Sequence, residues 1–154
     1  MRSKAAAGIV AGLIAGILFG IMMQMMSAPT PEGGKMLMMA MVAKVVHSDS
    51  LAVGWLYHLF NSAVIGLLFG LLFGSRAAGY GASAGWGAFY GLLWWVLGAL
   101  ILMPVLLGMP AFSPLKMMLP VAMGSLVGHL MYGVILGVGF VALRRPVVRA
   151  PARA

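Results

Sequence analysis

His58-Leu-Phe-Asn-Ser-Ala-Val-Ile-Gly66 returns as His129-Leu-Met-Tyr-Gly-Val-Ile-Leu-Gly137, with the same spacing from histidine to glycine. Each copy sits in an apolar run, and on a helix the polar residue three places after the imidazole, Asn61 or Tyr132, shares its face. The offset of 71 residues, that from 58 to 129, extends without a gap to Gly8 and Gly79, Gly16 and Gly87, and Gly20 and Gly91. A rare residue in register with glycines points to an internal duplication. The expected halves are a repeat over 5–75 and a second over 76–146.

The surroundings of the motif fix the solvent. Hydrophobic residues make up 63% of the 154 residues and charged residues 8%, with a mean hydropathy of +1.07. Soluble domains carry about 25% charge. Four stretches approach or exceed the ~20 residues that cross a bilayer as a helix: Ala5 to Met26, Leu51 to Phe73, Ala82 to Met103 and Met117 to Leu143. The expected fold is an all-α, single-domain (1–154) integral membrane four-helix bundle. Two spans per repeat give both copies the same, parallel orientation, with a pseudo-twofold axis along the membrane normal.

The net charge of +8 forms no patch with interleaved aromatics, so nucleic acid is not an expected partner. Arg2, Lys4, Arg76, Arg144, Arg145, Arg149 and Arg153 fall on one side of the spans. Lys35, Lys44 and Lys116 fall on the other, with the two acids, Glu32 and Asp49. The positive-inside rule then puts both termini in the cytoplasm, and the basic tail, 144–154, against anionic headgroups. Arg2 and Lys4 before an apolar run imitate a signal peptide, but the run exceeds a 7–15-residue h-region and Met26 is a poor residue at the third position before a cut after Ala28. It is taken as the first span.

Small residues recur every fourth position: Gly8, Gly12, Gly16 and Gly20; Ser62, Gly66, Gly70 and Gly74; Gly79, Ser83, Gly87 and Gly91; and Gly133 and Gly137 in the last span. Such stripes let helix backbones approach. On the first three spans they favour the inner half, while Met, Trp and His favour the outer half. The expectation is a molecule tight inside and wider outside. Pro29, Pro31, Gly33 and Gly34 end the first helix, and Met36 to Val46, too short to span, is expected as an interfacial or re-entrant helix on the outer face.

Gly54-Trp55-Leu-Tyr-His58, Trp94-Trp95 and Gly128-His129-Leu-Met-Tyr132-Gly133 resemble small four-span bacterial inner-membrane proteins of the YagU-like kind. The resemblance implies a bacterial plasma membrane and carries over no catalytic residue.

Three chemistries are open to these residues. His58 and His129, equivalent under the repeat, could ligate a b-type haem, with Asn61, Tyr132 and Ser125 as orienting partners. Met22, Met26, Met36, Met39 and His47 could hold Cu(I), which favours thioethers. Alternatively the histidines hydrogen-bond between helices and the methionines fill an irregular core. A small transporter subunit is a further possibility, although no Asp, Glu, Lys or Arg lies inside a span. Enzymatic work is not expected: there is no cysteine, no paired carboxylate and no phosphate-cradling loop. The first expectation is an accessory or scaffold component with no cofactor. Glycine faces left against lipid would then seat a second copy or a larger membrane complex.

Overall fold

The computed structural model describes residues 3–30 and 33–144. The C-terminal residues 145–154, with Arg145, Arg149 and Arg153 of the basic tail, and likewise Arg2, Pro31 and Glu32, lie outside that part.

The chain is mostly helical. Ser3 caps α1 (Lys4–Met25), its hydroxyl accepting from the Ala6 N–H at 3.2 Å. Four segments are long and apolar enough to cross a membrane: α1, α3 (Leu51–Phe73), the continuous stretch Tyr80–Leu106, and α7 (Leu119–Arg144). Their outward side chains are apolar, as at Ile14, Ile17, Leu56 and Phe60, and suit acyl chains.

Between α1 and α3 the chain departs from pure helix. β1 (Ser27–Pro29) pairs antiparallel with β2 (Lys35–Leu37), setting Ala28 opposite Met36. Gly33, at φ +84°, supplies the left-handed residue of the connection. The short helix α2 (Met38–Val45) follows. Met36 is therefore in a strand, not on a helix face shared with Met39, and the expected helix begins two residues late.

Tyr80–Leu106 also differs from expectation. It is α-helical over α4 (Tyr80–Trp94), a π-helix over Trp95–Leu102, and α-helical again over α5 (Met103–Leu106). The span expected to end at Met103 runs on through Pro104 to Leu106. A proline has no N–H for the carbonyl four residues back and its ring crowds that carbonyl, here Leu100. The wider π turns relieve the crowding, and the freed Leu100 carbonyl accepts instead from the Phe112 N–H at 2.6 Å. Phe112, at φ 61°, then enters α6 (Ser113–Met117).

Glycines set how the long helices meet. A Cβ on Gly8 would run into the backbone of Gly66 and Gly70, one on Gly12 into Ser62 and Gly66, and one on Gly20 into the Trp55 indole. The partner number falls as the α1 number rises, so α1 and α3 are antiparallel. The α4–α7 crossing is built alike: Gly87 faces Gly133 and Gly137, and Gly91 faces His129 and Gly133. α1 also packs antiparallel on α7, with Gly139 against Ala11 and Gly128 against Phe19 and Met22. Gly8, Gly12, Gly16, Gly20, Gly66, Gly70, Gly87, Gly91, Gly133 and Gly137 are all buried inside the chain. The expectation that a monomer leaves such glycine faces against lipid does not hold for them, because they close on one another. The glycines with open space beside them are others, including Gly81 and Gly85 on α4.

One register differs from the ungapped offset. The contacts of Gly12 with Ser62 and Gly66 match those of Gly87 with Gly133 and Gly137. Ser62 and Gly133 are 71 apart, but Gly12 and Gly87 are one helical turn further apart than that. A stripe with a glycine every fourth residue matches itself after a slide of four, so the sequence alone cannot separate the two registers.

Candidate functional site

Near Lys4, Gly74 and Arg144, here termed the glycine end, aromatic side chains close α3 onto α4. Phe69 and Tyr90 lie 5.5 Å apart between ring centroids, Phe73 and Trp86 5.3 Å, and the Tyr90 hydroxyl donates to the Ile65 carbonyl at 3.0 Å. Beyond Ile65, toward the methionine end, α3 and the π-helix diverge around a cavity of about 280 Å³. That is close to the ~300 Å³ at which small-molecule sites begin.

The cavity is floored by helices and roofed by the chain's short elements. Its floor is Phe19 of α1, His58 and Ser62 of α3, and Ser125, His129 and Tyr132 of α7. Met38, Met41 and Val42 of α2 roof it, with Met103 and Pro104 of α5 opposite. Along the side, half-exposed Asn61 and exposed Val64 on α3 face Gly98 and half-exposed Leu102 of the π-helix, where the wall gives onto the surface that lipid would cover. Met22 and Met26 line it too. The expected contrast between a tight end and a wide end is thus present: backbones touch at one end and methionines ring a space at the other.

All five residues named for the histidine site line this one cavity: His58, His129, Asn61, Tyr132 and Ser125. Their hydrogen bonds match the packing alternative in part. His58 Nε2 hydrogen-bonds across to the Gly16 carbonyl at 2.9 Å. His129 Nδ1 bonds within its own helix, to the Ser125 carbonyl at 2.8 Å, with the Ser125 hydroxyl at 3.3 Å. Tyr132 turns to α3, its hydroxyl donating to the Ser62 carbonyl at 3.0 Å. Ser62 in turn donates to the His58 carbonyl at 2.8 Å.

Phe19 stands against both imidazoles, edge-on, with centroid distances of 5.8 Å to His58 and 4.9 Å to His129. A haem held by two histidines needs a ring nitrogen of each free toward its iron, and here a phenyl ring lies against both imidazoles while one nitrogen of each is bonded to a backbone carbonyl. The imidazoles are also inequivalent, one bonded between helices and one within a helix. The pairing of His58 with His129 as axial ligands has no support in this geometry.

The soft-metal set is dispersed. Met22 and Met26 line the cavity, Met36 sits in β2 and Met39 is fully buried beneath α2, neither among the lining residues, and His47 is an exposed turn residue at φ 58°. Among the described residues no group of three His, Cys, Asp or Glu side chains converges.

A carbonyl can only accept, so the ring nitrogen bonded to it carries the proton, and in a neutral imidazole the other nitrogen is an acceptor. That leaves Nδ1 of His58 and Nε2 of His129 as the acceptor nitrogens of two imidazoles that line the cavity beside Asn61, Ser62, Ser125 and Tyr132. Two residues of this site were not singled out from sequence. Phe19 had a signal, as the one aromatic residue within the glycine stripe of α1. Gly98 had none, because its importance depends on the π turns.

Comparison with protein-family models, with curated proteins and with solved structures yields no match to this chain.

Proposed function

We propose that this chain is a non-enzymatic membrane protein that takes a bilayer-soluble guest into the cavity beside His58 and His129. The carrying observation is the cavity itself: apolar walls, polar groups gathered at its floor, and a flank between α3 and the π-helix where acyl chains would lie. A large apolar pocket with a few convergent polar groups is the default binding-site reading. Two imidazole acceptors and the Asn61 amide select a hydrogen-bond donor on the guest. A long-chain alcohol or an isoprenoid alcohol therefore suits the site better than a carboxylate or a cation.

In this reading the fold is a four-helix bundle of two tandem two-helix repeats in parallel orientation. Matching contacts at the two glycine crossings support it. The membrane is a bacterial plasma membrane, in keeping with the YagU-like resemblance, with both termini cytoplasmic. Lys4, Arg76 and Arg144 at the glycine end, against Lys44 and Asp49 ion-paired at the other, support that orientation. The scaffold reading keeps the open glycines of the third span, Gly81 and Gly85, while the stripe glycines that close on one another do not argue for it; a transporter reading gains no intramembrane charge.

The test is photolabelling of the protein in vesicles with a long-chain alcohol carrying a diazirine. Gly98 is the position to block, since a Cβ there would meet only Trp94, at 3.9 Å. Label is expected on peptides spanning Tyr57 to Val64 and Gly98 to Met103, competed by unlabelled alcohol and reduced about tenfold in Gly98→Phe. A matched fatty acid should label less. Label confined to outward residues such as Ile14, Ile17 and Leu56, unaffected by Gly98→Phe, would overturn the proposal.

A further inference from the structure

Among the described residues the glycine end carries cations and no acid. Lys4 begins α1 and Arg144 ends α7, and both line a cleft of about 410 Å³ completed by Gly74, Ser75, Ala77 and Phe140. The guanidinium is held in place there. It donates from Nη1 to the Gly74 carbonyl at 3.2 Å and lies over the Phe140 ring, 5.4 Å from its centroid.

The Nε of Arg144 is nonetheless buried with no partner among the described residues. A buried donor of this kind calls for an acceptor. The chain does not supply one in acidic form: Asp49 pairs with Lys44 at the methionine end, and Glu32 belongs by sequence to the connection between β1 and β2. The cleft lies where the first candidate span begins and the last one ends, and the ends of spans are where a chain meets lipid headgroups.

We propose that this cleft is a phosphate site. With Nε buried, the fixed guanidinium presents its remaining Nη donors to the phosphate oxygens, from a planar group held in place in a way a lysine ammonium is not. Lys4 adds the second positive charge and Ser75 a hydroxyl. The phosphate is carried by an anionic lipid or arrives free.

Native mass spectrometry of the full chain in neutral detergent, titrated with phosphatidylglycerol or phosphatidylcholine, tests this. A parallel arm measures thermal unfolding in inorganic phosphate against chloride at equal ionic strength. Phosphatidylglycerol should be retained in preference to phosphatidylcholine. Replacing both Lys4 and Arg144 by Gln should weaken retention by tenfold or more, at about fivefold per cation. The control is Arg76→Gln, since Arg76 is exposed at the same end and bonds the Leu72 carbonyl instead; it should change retention less than twofold. Stabilisation by inorganic phosphate that is lost in the double variant would show that free phosphate is also taken. Its absence alongside lipid retention would assign the site to lipid. Equal behaviour of the parent and the double variant in both arms, or an equal loss in Arg76→Gln, would overturn the site. Should Arg144→Gln fail to fold, Lys4→Gln alone carries the expected fivefold loss, and an unchanged Lys4→Gln would overturn it.

Discussion

Followed along α1, the molecule changes character within five turns of helix. At Gly8 and Gly12 the backbone of α3 is so close that a Cβ on Gly12 would come within 2.9 Å of the Gly66 Cα. At Met22 and Met26 the same helix lines a cavity, and the sulfur side chains of α1 reach across to Gly128 and Gly124 of α7. The difference is one of side-chain volume at constant helix geometry. Glycine stripes let two helices touch along their backbones, and such a crossing leaves no room for anything else. Methionine, long and unbranched, fills a wider interval without a fixed shape and yields when something enters. A closed end thus clamps the helices and an open end is left free to accommodate.

The hardest test of that contrast is to add volume at each end. Gly12→Leu and Gly87→Leu, at matching points of the two crossings, should each cost about 3 kcal/mol or more, because the atoms they strike are backbone. Denaturant unfolding in micelles measures this, and a tolerated leucine at either position would break the comparison. A smaller effect is expected for the hydrogen bonds that tie the helices where the two ends meet. Tyr132→Phe and Tyr90→Phe remove the bonds to the Ser62 and Ile65 carbonyls and should cost about 0.5–1 kcal/mol each.

How much of this was legible beforehand divides along the same line. The four candidate spans, the glycine stripes and the wider methionine end follow from hydropathy and residue size, which are local properties. For the histidines, the alternative of hydrogen bonding between helices holds for His58, which reaches the Gly16 carbonyl, while His129 bonds within its own helix. Five named residues do line one cavity, yet whether two imidazoles face each other depends on the rotation of α1, which brings Phe19 against both. The slide of one turn between Gly12 and Gly87 was hidden because a four-residue stripe overlaps itself. Pro104 was visible in the sequence, but its outcome was not. Whether a proline ends a span or widens it depends on a distant donor for the freed carbonyl, here the Phe112 N–H.

Smaller effects sharpen the contrast further. Gly98→Phe, the blocking variant at the open end, should shift stability by less than about 1 kcal/mol, since it enters existing space and strikes no backbone. Gly81→Ala and Gly85→Ala, which have nothing within 4 Å of the added Cβ, should be neutral or raise stability by up to about 1 kcal/mol through helix propensity. A substantial loss there would mean that this face of α4 is covered in the membrane, and unfolding curves taken in micelles and in nanodiscs would reveal it.

The central claim, that the methionine end admits a lipid-soluble guest, is tested most directly by methionine-methyl NMR of the chain in nanodiscs. Nuclear Overhauser effects from lipid or added long-chain alcohol should reach Met22 inside the cavity and Met25, which is 81% exposed, but not the fully buried Met39. In Gly98→Phe the Met22 signal should lose those effects while Met25 keeps them. A Met22 methyl as silent as Met39, or one in contact with water alone, would contradict the account.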